Sequence, residues 1–132
     1  MPSLHDSVLI GYEVDGSTRT IVLHTSRHPP DGMAADVKFT GVVAYHLEGD
    51  CLQNIILDII EVSIEAVVGD GRAFSERHHQ YGWPSGWDSR REGPEQFLRS
   101  HGCRCFELSS SYGMSGWIAA ERMEIFVKDV PL

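Results

Sequence analysis

The chain has 132 residues, 42% hydrophobic and 23% charged, which suits one globular domain with its own core and excludes a disordered chain. Its formal net charge of −8 at pH 7 disfavours nucleic acid, because phosphate binding needs a basic face. No apolar run approaches the roughly 18 residues of a spanning helix, so no membrane partner is expected.

In chain order, residues 7–14 and 18–25 are rich in Val, Ile, Tyr and Thr and flank Asp15-Gly16-Ser17, which predicts a β-hairpin. Ile21 and Leu23 are expected to face the core. The run Arg27-His-Pro-Pro-Asp-Gly32 must be a loop, since two prolines remove backbone donors and Asp-Gly favours a turn. Residues 36–48 predict a strand, and Gly41 within it suggests a bulge or a close backbone approach. Gly49-Asp50 turns the chain. Residues 54–68 fit both a strand and a helical face; their β-branched excess favours strand at least through Val62. A short helix is expected near residues 73–79, then a loop. A second helix is expected over residues 95–100, with Pro94 at its first position and Gly102 at its stop. Residues 103–108 and 117–127 read as closing strands around a Ser/Gly-rich turn. Gly113 and Gly116 are expected at backbone angles that a Cβ resists, and Trp117 is expected to enter the core.

These elements define one domain over residues 1–132. Its class is α+β, a largely antiparallel twisted sheet with one or two helices on one face. The expected core is Val8, Ile10, Ile21, Leu23, Val37, Phe39, Val43, Tyr45, Ile55, Leu57, Ile59, Phe97, Leu98, Phe106, Leu108, Trp117, Ile118, Ile125 and Val127. The three cysteines are an odd number and argue against a disulfide framework; with no signal-peptide pattern at the N-terminus, the expected compartment is the cytoplasm.

The charge is uneven. Residues 1–65 carry ten acids against three bases, a net of −7, whereas residues 66–132 carry nine against eight, a net of −1. Solubility is the simple account of such a bias. The sharper one is a surface for a basic protein partner, since complementary fields steer encounter.

Candidate chemistry is sparse. Asp58, Glu61 and Glu65 are close in sequence; on one strand Glu61 and Glu65 would share a face, and paired acids suit acid–base work if burial splits their pKa values. A solvated acidic face explains them more simply. Trp83, Trp87, Arg90 and Arg91 have the composition of a binding hot spot, or of a lid packed over the sheet. Ser110 and Tyr112 lie in the Ser/Gly turn over residues 109–115. With a histidine from elsewhere, that turn is the basis of an alternative small-ligand site or hydrolase, although the nucleophile signature Gly-x-Ser-x-Gly before a helix is absent. Cys103 and Cys105 would share a strand face but have no second ligand pair at zinc spacing, and free cysteines are usually buried and inert. No metal, cofactor or catalytic residue is assigned.

Three segments carry a family resemblance. They are Leu4-His-Asp-Ser-Val-Leu-Ile-Gly-Tyr-Glu-Val-Asp15; Val37-Lys-Phe-Thr-Gly-Val-Val-Ala-Tyr-His-Leu47 followed by Asn54-Ile-Ile-Leu-Asp-Ile-Ile-Glu61; and Phe106-Glu-Leu-Ser-Ser-Ser-Tyr-Gly-Met-Ser-Gly-Trp-Ile-Ala-Ala120. Their order resembles the YxiG-like family of small bacterial proteins and, more loosely, the immunity proteins of polymorphic-toxin systems. The resemblance implies a cytoplasmic, mostly sheet domain that binds and neutralises a toxin domain. It brings no catalytic residues with it.

Overall fold

The computed structural model describes residues 7–26, 34–52, 54–68 and 93–128. Among these residues the fold is largely antiparallel sheet with two short helices. The strands are β1 (Ser7–Asp15), β2 (Thr20–Ser26), β3 (Ala34–Thr40), β4 (Ala44–Glu48), β5 (Asn54–Val62), β6 (Arg104–Tyr112), β7 (Ser115–Ala120) and β8 (Arg122–Lys128). The helices are α1 (Ile64–Val68) and α2 (Pro94–Ser100). The strand order is β4-β7-β6-β5-β1-β2-β3-β8, with every neighbouring pair antiparallel.

The two ends of that order are joined by the chain itself. The β3–β8 ladder runs up to Thr40 opposite Arg122, and the β4–β7 ladder starts with Ala44 opposite Ala119. Across the gap Glu121 N donates to Thr40 O at 3.0 Å and Val43 N to Ala119 O at 3.0 Å. Three residues on one side face two on the other, so one residue is extra. Gly41, at φ +69°, makes this a glycine bulge, the device that bends a ribbon without breaking it. A Cβ there would meet the Glu121 side chain at 2.6 Å. Thus β3–β4 act as one bent strand and β7–β8 as another. With β2 on β3 and β6 on β7, the sheet closes into a barrel-like ring of six strands. The expected single strand over residues 36–48 is instead two strands, β3 and β4, that bend apart where the glycine stands.

The inward face is one apolar cluster. It includes Leu9, Ile21, Leu23, Val37, Phe39, Val42, Ile56, Ile59, Phe106, Leu108, Met114 and Ile118. Phe39 and Phe106 meet edge to face, their centroids 5.5 Å apart, a favoured aromatic geometry. A second cluster lies outside the ring. Ile64 and Val68 of α1, with Phe97 and Leu98 of α2, pack on Ala44, Cys105 and Ala119 of the wall. Trp117 belongs to this outer cluster and is only partly buried.

Two bulged strands invert the expected core. β1 shifts register between Leu9 and Gly11, and β5 shifts on both sides of Ile56. A one-residue slip exchanges the faces of a strand. Leu9 and Ile56 are therefore buried, while Ile10 is 64% exposed and Ile55 only partly covered. Val127, near the end of edge strand β8, is 43% exposed. The run at residues 54–68 is strand and then helix: β5 ends at Val62 and α1 begins at Ile64. Ser63 marks the switch, its hydroxyl accepting from Ala66 N at 3.2 Å, an N-terminal cap. The expected wide serine turn is instead strand: β6 continues to Tyr112, leaving only Gly113 and Met114 as the connection. The helix expected near residues 73–79 and the loop at 27–32 lie outside the described residues.

Candidate functional site

Three connections gather at one end of the ring: the β1–β2 turn, the β4–β5 loop after Glu48, and the β6–β7 turn. Because Leu9 lies opposite Asn54, the rest of β1 projects past the start of β5 and flanks the β4–β5 loop. Asp15 closes the hairpin tip. Its Oδ1 accepts from Ser17 N at 2.9 Å and Ser17 Oγ at 2.6 Å, and these bonds, the hydroxyl's first, hold its carboxyl below the usual range.

Asn54, 2% exposed, ties the other two connections together. Its Oδ1 accepts from Met114 N at 2.8 Å and from Cys51 N at 3.1 Å. Its Nδ2 donates to Asp50 Oδ1 at 3.0 Å. Asp50 Oδ1 also accepts from Leu52 N at 2.9 Å, and Asp50 Oδ2 accepts from the Tyr12 hydroxyl at 3.2 Å. These donors are neutral, yet they stabilise the charged form. The Asn54 amide, followed by the Leu52 N–H, lowers the Asp50 pKa. Tyr12 is pushed up, first by desolvation and then by its bond to Asp50.

The loop so held presents Leu52. It has φ +67°, a region that bulky side chains resist, and it is 88% exposed. Tyr112 is 58% exposed and Tyr12 40%. Tyr112 lies opposite Ile55, and Ile55 opposite Val8, so an apolar row crosses three strands beside the loop. Glu13, Asp15, Glu48 and Asp50 stand at this end with Arg19, and Lys38 and Arg122 share the cross-strand rows of Glu13 and Asp15. An open cleft of about 190 Å³ lies under the hairpin, lined by Val14, Arg19, Ile21, Val42 and Tyr45 among others.

The acids singled out from sequence are not brought together. Asp58 Oδ1 accepts from Ile59 N at 2.8 Å. Glu61 pairs with Arg104, whose hydrogen bond lowers the Glu61 pKa. Glu65 lies on α1 and pairs with Arg99, which also binds Glu95 at 3.1 Å. Its pKa is lowered first by its own main-chain N–H, then by Glu95 and Arg99. The shared strand face expected for Glu61 and Glu65 does not exist, because the chain changes from strand to helix between them. Trp83, Trp87, Arg90 and Arg91 lie outside the described residues.

The serines are structural stitches. Ser110 donates to Met114 O and Ser111 to Ile55 O at 3.3 Å, while Ser109 reaches Glu107 Oε1 at 3.5 Å. A nucleophile must instead offer its proton to a base. His24 pairs with Asp36 and Glu13, His46 with Glu48, and His101 with Phe97 O. Cys103 and Cys105 are buried, and desolvation pushes their thiols up to about 11 and about 12. Among the described residues no group of three His, Cys, Asp or Glu side chains could hold a metal ion, and no helix is long and apolar enough to cross a membrane.

The sequence reading passed over Tyr12, Asp50, Leu52 and Asn54. The signal available was an Asp and an Asn four apart after Gly49, residue types that fold a loop by bonding their own backbone. Comparison with protein-family models, curated proteins and solved structures finds no match to this chain.

Proposed function

We propose that this chain is a non-enzymatic protein-binding domain of the immunity type, an α+β scaffold that neutralises a basic toxin partner in the cytoplasm. The observation that carries the reading is the fixed rim of the ring. Asp50 bonds exposed Tyr12 and the main chain of exposed Leu52 there, and Glu13, Asp15 and Glu48 lie on the adjoining strand ends with Arg19, Lys38 and Arg122. Elsewhere Glu61 and Glu65 are matched by arginines. At the rim Asp50 is held ionised by neutral groups, so its charge remains available to a partner. A carboxylate held ionised beside exposed apolar side chains suits a cationic protein surface, because complementary fields raise the encounter rate while the apolar groups supply affinity. The resemblance to toxin-immunity proteins points the same way.

The test is capture of host proteins on the immobilised full chain at low salt, identification of what is retained, and measurement of its affinity as salt rises. A cationic partner whose association slows with salt is expected, since exposed charges are screened over about 8 Å at physiological ionic strength. A partner with salt-independent affinity, or one of acidic character, refutes the proposal.

A further inference from the structure

We infer that the open edge of β8 pairs with a second copy of this chain, the two β8 strands lying antiparallel across a two-fold axis at Phe126. Among the described residues β8 hydrogen-bonds only to β3. The N–H and C=O groups on its other side are left to water or to another strand, and such an edge is a template for pairing. The strand, RMEIFVK, holds no proline or glycine to blunt it. Two apolar side chains are half-exposed on it, Phe126 at 47% and Val127 at 43%. Successive side chains alternate between faces, so these two lie on opposite sides of the sheet. A partner resting on one face covers only one of them, whereas a strand added along the edge reaches both.

The register identifies the occupant. A two-fold axis perpendicular to the sheet keeps each face on its own side, so the pairing centres on one residue. Centred on Glu124, it opposes two carboxylates. Centred on Ile125, it sets Arg122 against Lys128, again like charges. Centred on Met123, it runs Phe126 into Ala120, whose edge β6 already occupies. Centred on Val127, it sets Phe126 against Lys128. Centred on Phe126, it sets Glu124 against Lys128 and Ile125 against Val127, each twice, and Phe126 against its own copy. Those pairs are opposite charges, β-branched side chains and aromatic rings, the combinations that stabilise neighbouring strands. The edge of β1 beyond Leu9 has no equivalent solution, because its charged residues, Glu13 and Asp15, are both acids.

One short strand pair buries less than the roughly 1,200 Å² of a stable interface, so the dimer is expected to be weak and to grow with concentration. Sedimentation velocity of the full chain over a concentration series measures it. Glu124→Lys and Lys128→Glu each place like charges opposite one another twice, and each should weaken the dimer roughly tenfold or more. Combining the two exchanges the charges and should restore the wild-type affinity, which a general effect on folding or solubility does not do. In a Cys51→Ser background, Phe126→Cys should form a disulfide between copies under mild oxidation, since a residue opposite itself lies within bonding reach. Glu124→Cys should not, because its two copies are separated along the strands. A chain that stays monomeric throughout the series overturns the inference. So does a dimer indifferent to Glu124→Lys, a charge exchange that fails to restore pairing, or growth past the dimer, which a closed two-fold pair does not allow. None of these outcomes bears on the toxin-binding reading, which rests on the other end of the ring.

Discussion

Asn54→Ala is the sharpest test of how the rim is held. Asn54 is buried, and so is Met114, whose N–H it receives at 2.8 Å. Removing the amide leaves that N–H without its acceptor in a place water does not reach, at a cost of about 1–3 kcal/mol. The bond from Nδ2 to Asp50 at 3.0 Å is lost as well, worth roughly 0.5–1.5 kcal/mol net. Cys51 N, the third partner, belongs to an exposed residue and can turn to water at little cost. The sum is about 3 kcal/mol, a large part of the roughly 5–15 kcal/mol that stabilises a typical domain. Urea denaturation measures it, and amide exchange at Met114 reports the local opening. Asn54→Asp adds a signed control. It keeps an acceptor but places a second carboxylate against Asp50, which raises the folded-state pKa of the new acid. Stability is then lost as pH rises through that pKa and recovers on acidification. A loss below about 1 kcal/mol for the alanine variant, less than one unsatisfied buried donor costs, would sink the clamp. So would an aspartate variant whose deficit does not change with pH.

Gly116→Ala is expected to cost roughly 3 kcal/mol or more, since its Cβ would lie 1.8 Å from His46 O at φ +152°, beyond ordinary overpacking. Gly11→Ala, with nothing within 4 Å of its Cβ, should stay within about 0.5 kcal/mol; equal effects at the two sites in urea denaturation refute the geometry. His24 lies between Asp36 at 2.8 Å and Glu13 at 3.2 Å, and its pKa is raised, first by the Asp36 hydrogen bond. The protonated pair therefore stabilises the fold below the ordinary histidine pKa, and that contribution disappears as pH rises through the higher folded value. Urea midpoints on either side of this window should differ less in His24→Gln than in wild type; an unchanged pH dependence counts against the triad. The thiols give a reactivity test: at mildly alkaline pH a thiol reagent should label exposed Cys51 in the native chain, and Cys103 and Cys105 only after unfolding. Rapid native labelling of either buried thiol would show that the outer cluster opens.

Much of the ring could be read from local chemistry. The hairpin at Asp15–Gly16, the alternation of Ile21 and Leu23, the bulge at Gly41 and the proline-started helix each depend on a few adjacent residues. What failed was parity. Ile10 and Ile55 look as apolar as Leu9 and Ile56, and nothing in the residues themselves shows where a bulge shifts one strand against the next. That decision belongs to pairing over long range, between β1 and β5 and between β5 and β6. The serine run failed for a related reason. Hydroxyls suit turns, but Ser110 and Ser111 can remain in a strand because carbonyls of Met114 and Ile55 accept from them.

The candidate site was hidden for another reason. Asp58, Glu61 and Glu65 drew attention because they are close in sequence, and closeness in sequence lost its meaning where β5 gave way to α1. Each acid then met its own partner. The acids of this end come from residues 13–15 and 48–50, which share no local pattern, and the two segments come together at Tyr12 and Asp50 because β1 overshoots β5 at Leu9 and Asn54. Closure at the Gly41 bulge is partial: among the described residues β1 beyond Leu9 pairs only with β2 and β8 pairs only with β3, so both keep an open edge. The β4–β5 loop, by contrast, is local in origin, held where the Asn54 and Asp50 side chains bond nearby main-chain N–H groups and each other.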